Sequence, residues 1–108
     1  MIKVFAYVTS AGKCPYADWF DSLDQEAAAK VQTAVERMED GNFGDHKSVG
    51  AGVTERRLNI GPGYRIYYGR DGEKLVILVG GGTKKRQNTD VKTAQAIWAE
   101  YKATKKVN

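Results

Sequence analysis

The sequence has 108 residues, 42% apolar and 28% charged, a composition that is ordinary for a globular protein and argues against disorder. Lysine and arginine outnumber aspartate and glutamate by 17 to 13, giving a formal charge of +4, and the length suits a single domain spanning residues 1–108. The N-terminal apolar run is shorter than a signal-peptide core, and no stretch approaches the roughly 20 apolar residues that span a bilayer. We therefore expect a cytoplasmic protein without a membrane partner.

The N-terminal half predicts one strand followed by a helical hairpin. Residues 2–9 are rich in β-branched and aromatic residues, which indicates a strand. Apolar residues at helical spacing between positions 16 and 23 predict a first helix. Asp24 is suited to cap a second helix, whose apolar positions recur with a period of 3.6 over residues 27–38. Gly41 ends that helix.

The C-terminal half predicts three strands and one helix. Residues 42–52 form a long turn rich in glycine and aspartate, and residues 53–60 and 64–68 form two strands joined by a tight Gly-Pro-Gly turn. Asp71-Gly72 then makes a second hairpin turn before a continuous apolar strand at residues 75–79.

Three glycines at 80–82 end this third strand, a basic loop covers residues 83–86, and the last helix begins at Thr89 or Asp90. The polar tail, residues 102–108, is expected to fray. The predicted order is β-α-α-β-β-β-α. Because consecutive hairpins give antiparallel neighbours, we predict an α+β protein with a mostly antiparallel four-stranded sheet.

The basic residues are the strongest chemical signal in this chain. With one cysteine, one histidine and neither HExxH nor CxxC, the sequence predicts no metal site and no cofactor. Side chains alternate along a strand, so Arg57 and Arg65, on neighbouring arms of one hairpin, could share a face. A guanidinium group binds phosphate in bidentate fashion, which favours a polyanion as the ligand. Two alternatives stay open: scattered, solvated surface charges, or neutralisation of the arginines by Glu55, Asp71 and Glu73.

Two long segments resemble a known family. They are GNFGDHKSVGAGVTERRLNIGPGYRIYY, which starts at Gly41, and LVILVGGGTKKRQNTDV, which starts at Leu75. Together they closely resemble the RelE/ParE toxin superfamily, and within it the addiction module killer proteins related to the HigB toxins. The resemblance covers nearly the whole chain in unbroken order and implies a RelE-like fold.

The resemblance implies the toxin of a type II toxin–antitoxin pair, and most directly a ribosome-dependent endoribonuclease that cuts mRNA in the A site. Its expected partners are the ribosome, mRNA and a cognate antitoxin. The antitoxin is expected to be a helix-turn-helix protein encoded by the adjacent gene, so that operator DNA is reached only through it. Two alternatives stay open: a ParE-like poison of DNA gyrase, and an RNA- or ribosome-binding module without catalysis.

The resemblance also implies roles for individual residues in a metal-independent cleavage that leaves a 2′,3′-cyclic phosphate. The implied catalytic set is Arg57, Arg65, Lys84 and Asp90. The implied RNA-binding set is Lys47, Arg56, Tyr64, Lys85, Arg86 and Gln87. Arg56 stands where the family has an apolar residue, and no tyrosine occupies position 90, so the general acid and base stay open between Lys84 and Asp90. We expect Arg65→Ala to abolish growth arrest with little loss of folding, as for an exposed cationic cluster.

Overall fold

The computed structural model describes the backbone of residues 1–107 and the side chains of residues 1–105. The strands and helices of this part of the chain are, in order, β1 (Lys3–Ala6), α1 (Pro15–Asp21), α2 (Gln25–Glu39), β2 (His46–Ser48), β3 (Val53–Leu58), β4 (Tyr64–Arg70), β5 (Leu75–Thr83), a 3-10 turn (Lys84–Arg86) and α3 (Gln87–Val107). No helix among these combines the length and apolar character needed to cross a membrane.

The sheet confirms the predicted α+β class but differs in strand number. Within the described residues it has five strands in the order β1-β5-β4-β3-β2. The β2–β3, β3–β4 and β4–β5 pairs are antiparallel, whereas β1 lies parallel to β5. The prediction of four strands is therefore wrong by one, and the sheet is mixed.

The additional strand is β2, which lies inside the segment predicted as a long turn. Its three residues are all exposed, so they show none of the apolar alternation that marks a half-buried strand. The strand exists through backbone pairing with β3, with His46 opposite Arg56 and Ser48 opposite Thr54. Pairing of this kind leaves no signature in side-chain pattern.

The predicted ends of α2 are confirmed. The Asp24 side chain accepts a hydrogen bond of 2.9 Å from the Ala27 amide, which satisfies one of the free donors at the helix start. At the other end Gly41 has a φ of 83° and its amide donates to the Met38 carbonyl at 2.9 Å. A glycine in this left-handed conformation is a common helix terminator.

The two faces of the sheet carry separate apolar clusters. One face packs against α1 and α2 around Val31, Met38 and Ile66, which are all fully buried. The opposite face packs against α3 around Tyr67 and Trp98. β4 is thus covered on both sides, and its residues from Arg65 to Gly69 are all buried.

The prediction that three glycines end the apolar strand is wrong, because β5 continues through Thr83. A Cβ placed on Gly81 would lie 2.1 Å from the Trp19 ring, and one placed on Gly82 would lie 2.0 Å from the Asp90 carboxylate. Glycine is present here because side chains from α1 and α3 approach the strand from opposite faces. The glycines therefore permit close packing and do not break the strand.

The last helix begins at Gln87, earlier than predicted, and the expected basic loop before it is a 3-10 turn. The tail that we expected to fray is helical in the structure as far as Val107, where α3 ends. The helix is held to the β4–β5 turn by Asp71, which accepts hydrogen bonds from Tyr101 at 2.5 Å and from Lys105 at 2.6 Å. Residue 108 lies outside the described residues.

Candidate active site

The centre of the site is a charged row made of Arg57 and Arg65 on adjacent strands and the carboxylates beside them, Asp45, Glu55 and Asp90. Arg57 on β3 is directly opposite Arg65 on β4, and Arg65 is directly opposite Gly82 on β5. Beside Arg57, the Asp45 carbonyl accepts a 2.8 Å bond from the Arg57 amide just before β2 begins. The prediction that the two arginines share a face is confirmed, and it is the face on which α3 packs.

Two carboxylates offset the repulsion between these arginines. Glu55, which is 1% exposed, places its Oε1 3.8 Å from Arg65 Nε and its Oε2 3.9 Å from Arg57 Nε. Asp45 accepts a 2.9 Å hydrogen bond from Arg57 Nη2. Because like charges on adjacent strands are destabilising, the buried Glu55 is what allows both guanidinium groups to occupy one face.

Sequence reasoning named Glu55 only as one of the acidic residues that could neutralise the arginines and did not assign it to the site, although a stronger signal existed. Glu55 precedes Arg57 by two residues on the same strand, so the two side chains must point to the same face. An acidic residue at that spacing, facing a second arginine across a hairpin, indicates an ion-paired cluster. A fully buried carboxylate needs such partners.

Arg65 is more enclosed than the sequence suggested. It is 6% exposed, and its Nη1 donates a 3.2 Å hydrogen bond to the Tyr64 carbonyl. Its Nε is buried and has no hydrogen-bond partner, since 3.8 Å to Glu55 is too long for one. The expectation of an exposed cationic cluster is therefore wrong for Arg65, because central strand β4 is covered on both faces. Arg57, with a side chain 32% exposed, is the accessible member of the pair.

Lys84 reaches the same end of the hairpin from β5. Its amide donates to the Gly63 carbonyl at 2.8 Å. A Cβ on Gly63 would lie 3.2 Å from Lys84 Cβ and 3.6 Å from Arg65 Nη1. The lysine stem and the arginine head group thus flank the same glycine of the Gly-Pro-Gly turn, and Lys84 is exposed there.

Asp90 approaches this row from the first turn of α3. Its carboxylate lies over Gly82, which has no side chain and is the direct partner of Arg65 across the sheet. Burial raises the pKa of the Asp90 carboxyl, and the nearby Arg86 guanidinium offsets part of that increase. A carboxylic acid with a raised pKa is suited to exchange protons nearer neutral pH.

Tyr67 is one of three tyrosines, with Tyr64 and Tyr68, that the sequence offers for stacking on unpaired bases. Its hydroxyl group is buried without a hydrogen-bond partner, and burial together with the charges of Glu55 and Asp90 raises its pKa. The side chain is completely inaccessible, so it cannot stack on a base. It is buried beside the charged row, near Glu55 and Asp90.

The residues expected to bind RNA are divided among different positions. Gln87 donates a 2.7 Å hydrogen bond to Glu55 Oε1, so it anchors the start of α3 to β3. Lys47 is exposed opposite Glu55, and Lys85 and Arg86 are exposed in the 3-10 turn.

Arg56 and Tyr64 face the other side of the sheet. Each is adjacent in sequence to an arginine of the charged row, and alternation turns it toward α1 and α2. The Tyr64 ring packs against Trp19 with 6.4 Å between centroids. A cleft of about 330 Å³ nevertheless connects Tyr64 with Arg86 and Asp90 around the end of β5. The ten expected residues therefore do not form one flat surface.

Comparison with known proteins gives one family match and one related protein. The family described as "Phage derived protein Gp49-like (DUF891)" matches residues 18–102, most of the chain. A Haemophilus influenzae protein named "Uncharacterized protein" is 40% identical over 86 residues, 79% of this chain and 87% of that protein. The chain belongs to the phage-derived Gp49-like family.

The Gp49-like family is toxin-like and is associated with toxin–antitoxin systems, which implies a cognate antitoxin as a partner of this chain. The matched region contains the whole charged row and most of α3, including Arg57, Arg65, Lys84 and Asp90. In the part of this Gp49-like chain that the structure describes, no three histidine, cysteine or acidic side chains come together to hold a metal ion.

Proposed function

We propose that this protein is the toxin of a type II toxin–antitoxin pair and acts as a ribosome-dependent, metal-independent endonuclease that cleaves mRNA in the A site. The observation that carries the proposal is the direct pairing of Arg57 with Arg65, with Lys84 and Asp90 at the same end of the hairpin. Two guanidinium groups, an amine and a carboxyl with a raised pKa supply the groups that phosphodiester cleavage needs.

In the proposed reaction the 2′-oxygen of a ribose attacks the adjacent 3′-phosphate. The bond from this oxygen to phosphorus forms while the bond from phosphorus to the 5′-oxygen breaks, giving a 2′,3′-cyclic phosphate and a 5′-hydroxyl. Asp90 takes the proton from the 2′-hydroxyl, and Lys84 gives a proton to the leaving 5′-oxygen. Arg57, supported by Arg65, stabilises the charge that develops on the phosphate oxygens.

The ion pairs of the site support dependence on the ribosome. Arg57 is held by Asp45 and Glu55, so phosphate must compete with two carboxylates for this side chain. Free RNA in solution that binds here is not oriented for reaction at a paired arginine, whereas mRNA held in the A site arrives already oriented. Orientation of this kind contributes several orders of magnitude in rate.

A pulse of expression tests the proposal. Labelled methionine and thymidine incorporation are followed side by side, and primer extension on a reporter mRNA locates any cuts. We expect methionine incorporation to stop first, with cuts inside coding regions. Arg57→Ala should remove both effects, whereas Arg70→Ala, an exposed arginine at the far end of β4, should remove neither.

An early collapse of thymidine incorporation with intact mRNA would instead identify a gyrase poison. Arrested translation with uncut mRNA would identify a ribosome-binding module without catalysis.

A further inference from the structure

A second basic cleft lies on the opposite face of the sheet, between α2 and β3. It has a volume of about 380 Å³, which is within the range of small-molecule sites. Lys30, Thr33 and Arg37 line it from one face of α2, at helical spacing. Arg56 lines it from β3. The ion pair between Arg57 and Asp45 also lines it and belongs to the charged row as well.

The positive charge of this cleft is not compensated. Among the side chains of residues 1–105, no carboxylate oxygen lies within 4 Å of the charged groups of Lys30, Arg37 or Arg56. The remaining acidic group of the cleft, Asp45, is bound to Arg57 at 2.9 Å. Three cations therefore face one open volume without an internal counter-charge, which favours an anionic ligand.

Arg56 is held in place before any ligand arrives. Its Nη1 donates to the Arg57 carbonyl, and its Nε is buried without a hydrogen-bond partner. The head group lies against Gly44, where a Cβ would come within 2.5 Å of the guanidinium carbon. Gly44 has a φ of 55°, a conformation that also favours glycine. A guanidinium fixed in this way loses little freedom when it binds phosphate.

We propose that this cleft binds a backbone phosphate of the same RNA strand whose reactive phosphate lies at Arg57 and Arg65. The inference rests on the proposed function. Arg57 belongs to both sites. One ligand that carries repeated phosphates can therefore pass around the edge of the sheet at Arg57 and contact both the cleft and the charged row. An isolated carboxylate on a protein would satisfy one cation, whereas a polynucleotide presents successive charges to Lys30, Arg37 and Arg56.

The test measures binding of a fluorescent, fully 2′-O-methylated 12-nucleotide RNA, which this chemistry cannot cleave, by anisotropy between 50 and 300 mM salt. The double variant Lys30→Ala/Arg37→Ala removes two exposed cations from the cleft. The control Lys74→Ala/Lys92→Ala removes two exposed lysines elsewhere and gives the same change in net charge. Urea unfolding midpoints verify that both proteins are folded.

We expect the cleft variant to bind the RNA about fivefold more weakly at 150 mM salt. Its plot of log affinity against log salt should be shallower by about 0.7 for each phosphate that the variant no longer neutralises. The control should match the wild-type protein in slope.

Equal slopes for the cleft variant and the control would overturn the inference, as would wild-type protein that does not bind the RNA. Loss of antitoxin binding with RNA affinity unchanged would assign the cleft to an acidic protein and also overturn it. The proposed function fails separately: if the weaker RNA binding is observed but no mRNA is cut in cells, the cleft stands and the nuclease assignment does not.

Discussion

At the scale of single residues, the site depends on how buried charges compensate each other. Glu55 lies between two arginines at 3.8 and 3.9 Å and is itself fully buried. Removing one partner of such a group leaves an unpaired charge in a poorly solvated position, which costs more than the pair contributes. Arg65 therefore has a structural role in addition to its proposed role in catalysis, and loss of activity in an Arg65 variant must be separated from loss of folding.

A double-mutant cycle on the free energy of unfolding measures this structural role by itself. We expect Arg65→Ala to lower the free energy of unfolding by about 1–3 kcal/mol, because the Glu55 carboxylate loses one cation. Glu55→Gln should lower it by a comparable amount, because Arg57 then faces Arg65 without an intervening negative charge. The double variant should lose less than the sum, with a coupling of at least about 0.5 kcal/mol in urea titrations at pH 7. Strict additivity would show that the two residues do not interact.

Asp90 offers a prediction in which activity and stability change in opposite directions. We expect Asp90→Asn to reduce mRNA cleavage in purified ribosome complexes by about 10²–10⁴-fold, since the proposed base is lost. Wild-type cleavage should decline as the pH falls through the Asp90 pKa, which burial places above the ordinary aspartate value.

The stability of the same variant follows from the sign of the shift. Because the folded-state pKa is raised, the ionised carboxylate destabilises the protein above that pKa, and this effect disappears as the pH falls and the group becomes protonated. Asp90→Asn should therefore be at least as stable as the wild type at pH 7, and any advantage should vanish near pH 3. A less stable variant at pH 7 would indicate that the charged form of Asp90 is needed for folding.

At the scale of elements, the end of β5 determines how close the helices can come to the charged row. Trp19 of α1 contacts the strand at Gly81, and Asp90 of α3 contacts it at Gly82 from the other face. A Cβ on Gly80 would meet no heavy atom within 4 Å. The three glycines are consecutive in sequence, but two of them are required by contacts and one is not.

This difference is measurable by thermal unfolding. We expect Gly81→Ala to destabilise the protein by about 1–3 kcal/mol, because the Trp19 ring must move out of a packed position. Gly80→Ala is the matched control and should be neutral or stabilising by up to about 1 kcal/mol, since it restricts the unfolded chain without a new contact. Equal effects of the two substitutions would contradict the proposed contact with Trp19.

The same strand shows what sequence could and could not predict. Apolar periodicity and the Asp24 and Gly41 signals located α2, and strand alternation placed Arg57 and Arg65 on one face. Sequence missed the extension of β5, because a glycine that ends a strand looks the same as one that makes room for a tryptophan. It missed β2 because pairing of exposed polar residues occurs through the backbone alone.

The sequence predicted which basic residues the candidate site contains, but it did not predict how deeply they are buried. Arginines at alternating positions on a hairpin can be recognised in sequence, together with Lys84 after the next strand. That Arg65 is enclosed depends on α3 covering the far face of β4, which is a tertiary property. The assignments of catalytic and RNA-binding roles stay predictions until variants are measured.

At the scale of the whole molecule, exposed positive charge lies on both faces of the sheet. Lys84, Lys85 and Arg86 are exposed near the arginine row, and Lys30 and Arg37 are exposed beside the cleft on the other face. A partner that silences the protein must shield the first of these surfaces at least. Electrostatic complementarity accelerates capture of such a partner more than it strengthens the final complex.

We therefore expect the product of the adjacent gene to copurify with this protein as a small antitoxin that presents acidic residues to the basic surfaces. The association rate should fall as salt rises from 50 to 300 mM, with a smaller change in the dissociation rate. Stopped-flow mixing of the two purified proteins measures both rates. An association rate that is independent of salt, or the absence of a complex at low salt, would contradict this prediction.

The parallel pairing of β1 with β5 has a consequence for synthesis of the protein. The first strand has its partner only after the chain has been made as far as β5, and the charged row is complete only when Asp90 has followed. Contacts this distant in sequence slow folding, because a long loop must close before they can stabilise the chain. A nascent chain therefore carries its arginines without the carboxyl group and the helix that complete the site. The chain must therefore be synthesised through Asp90 before the proposed site can form.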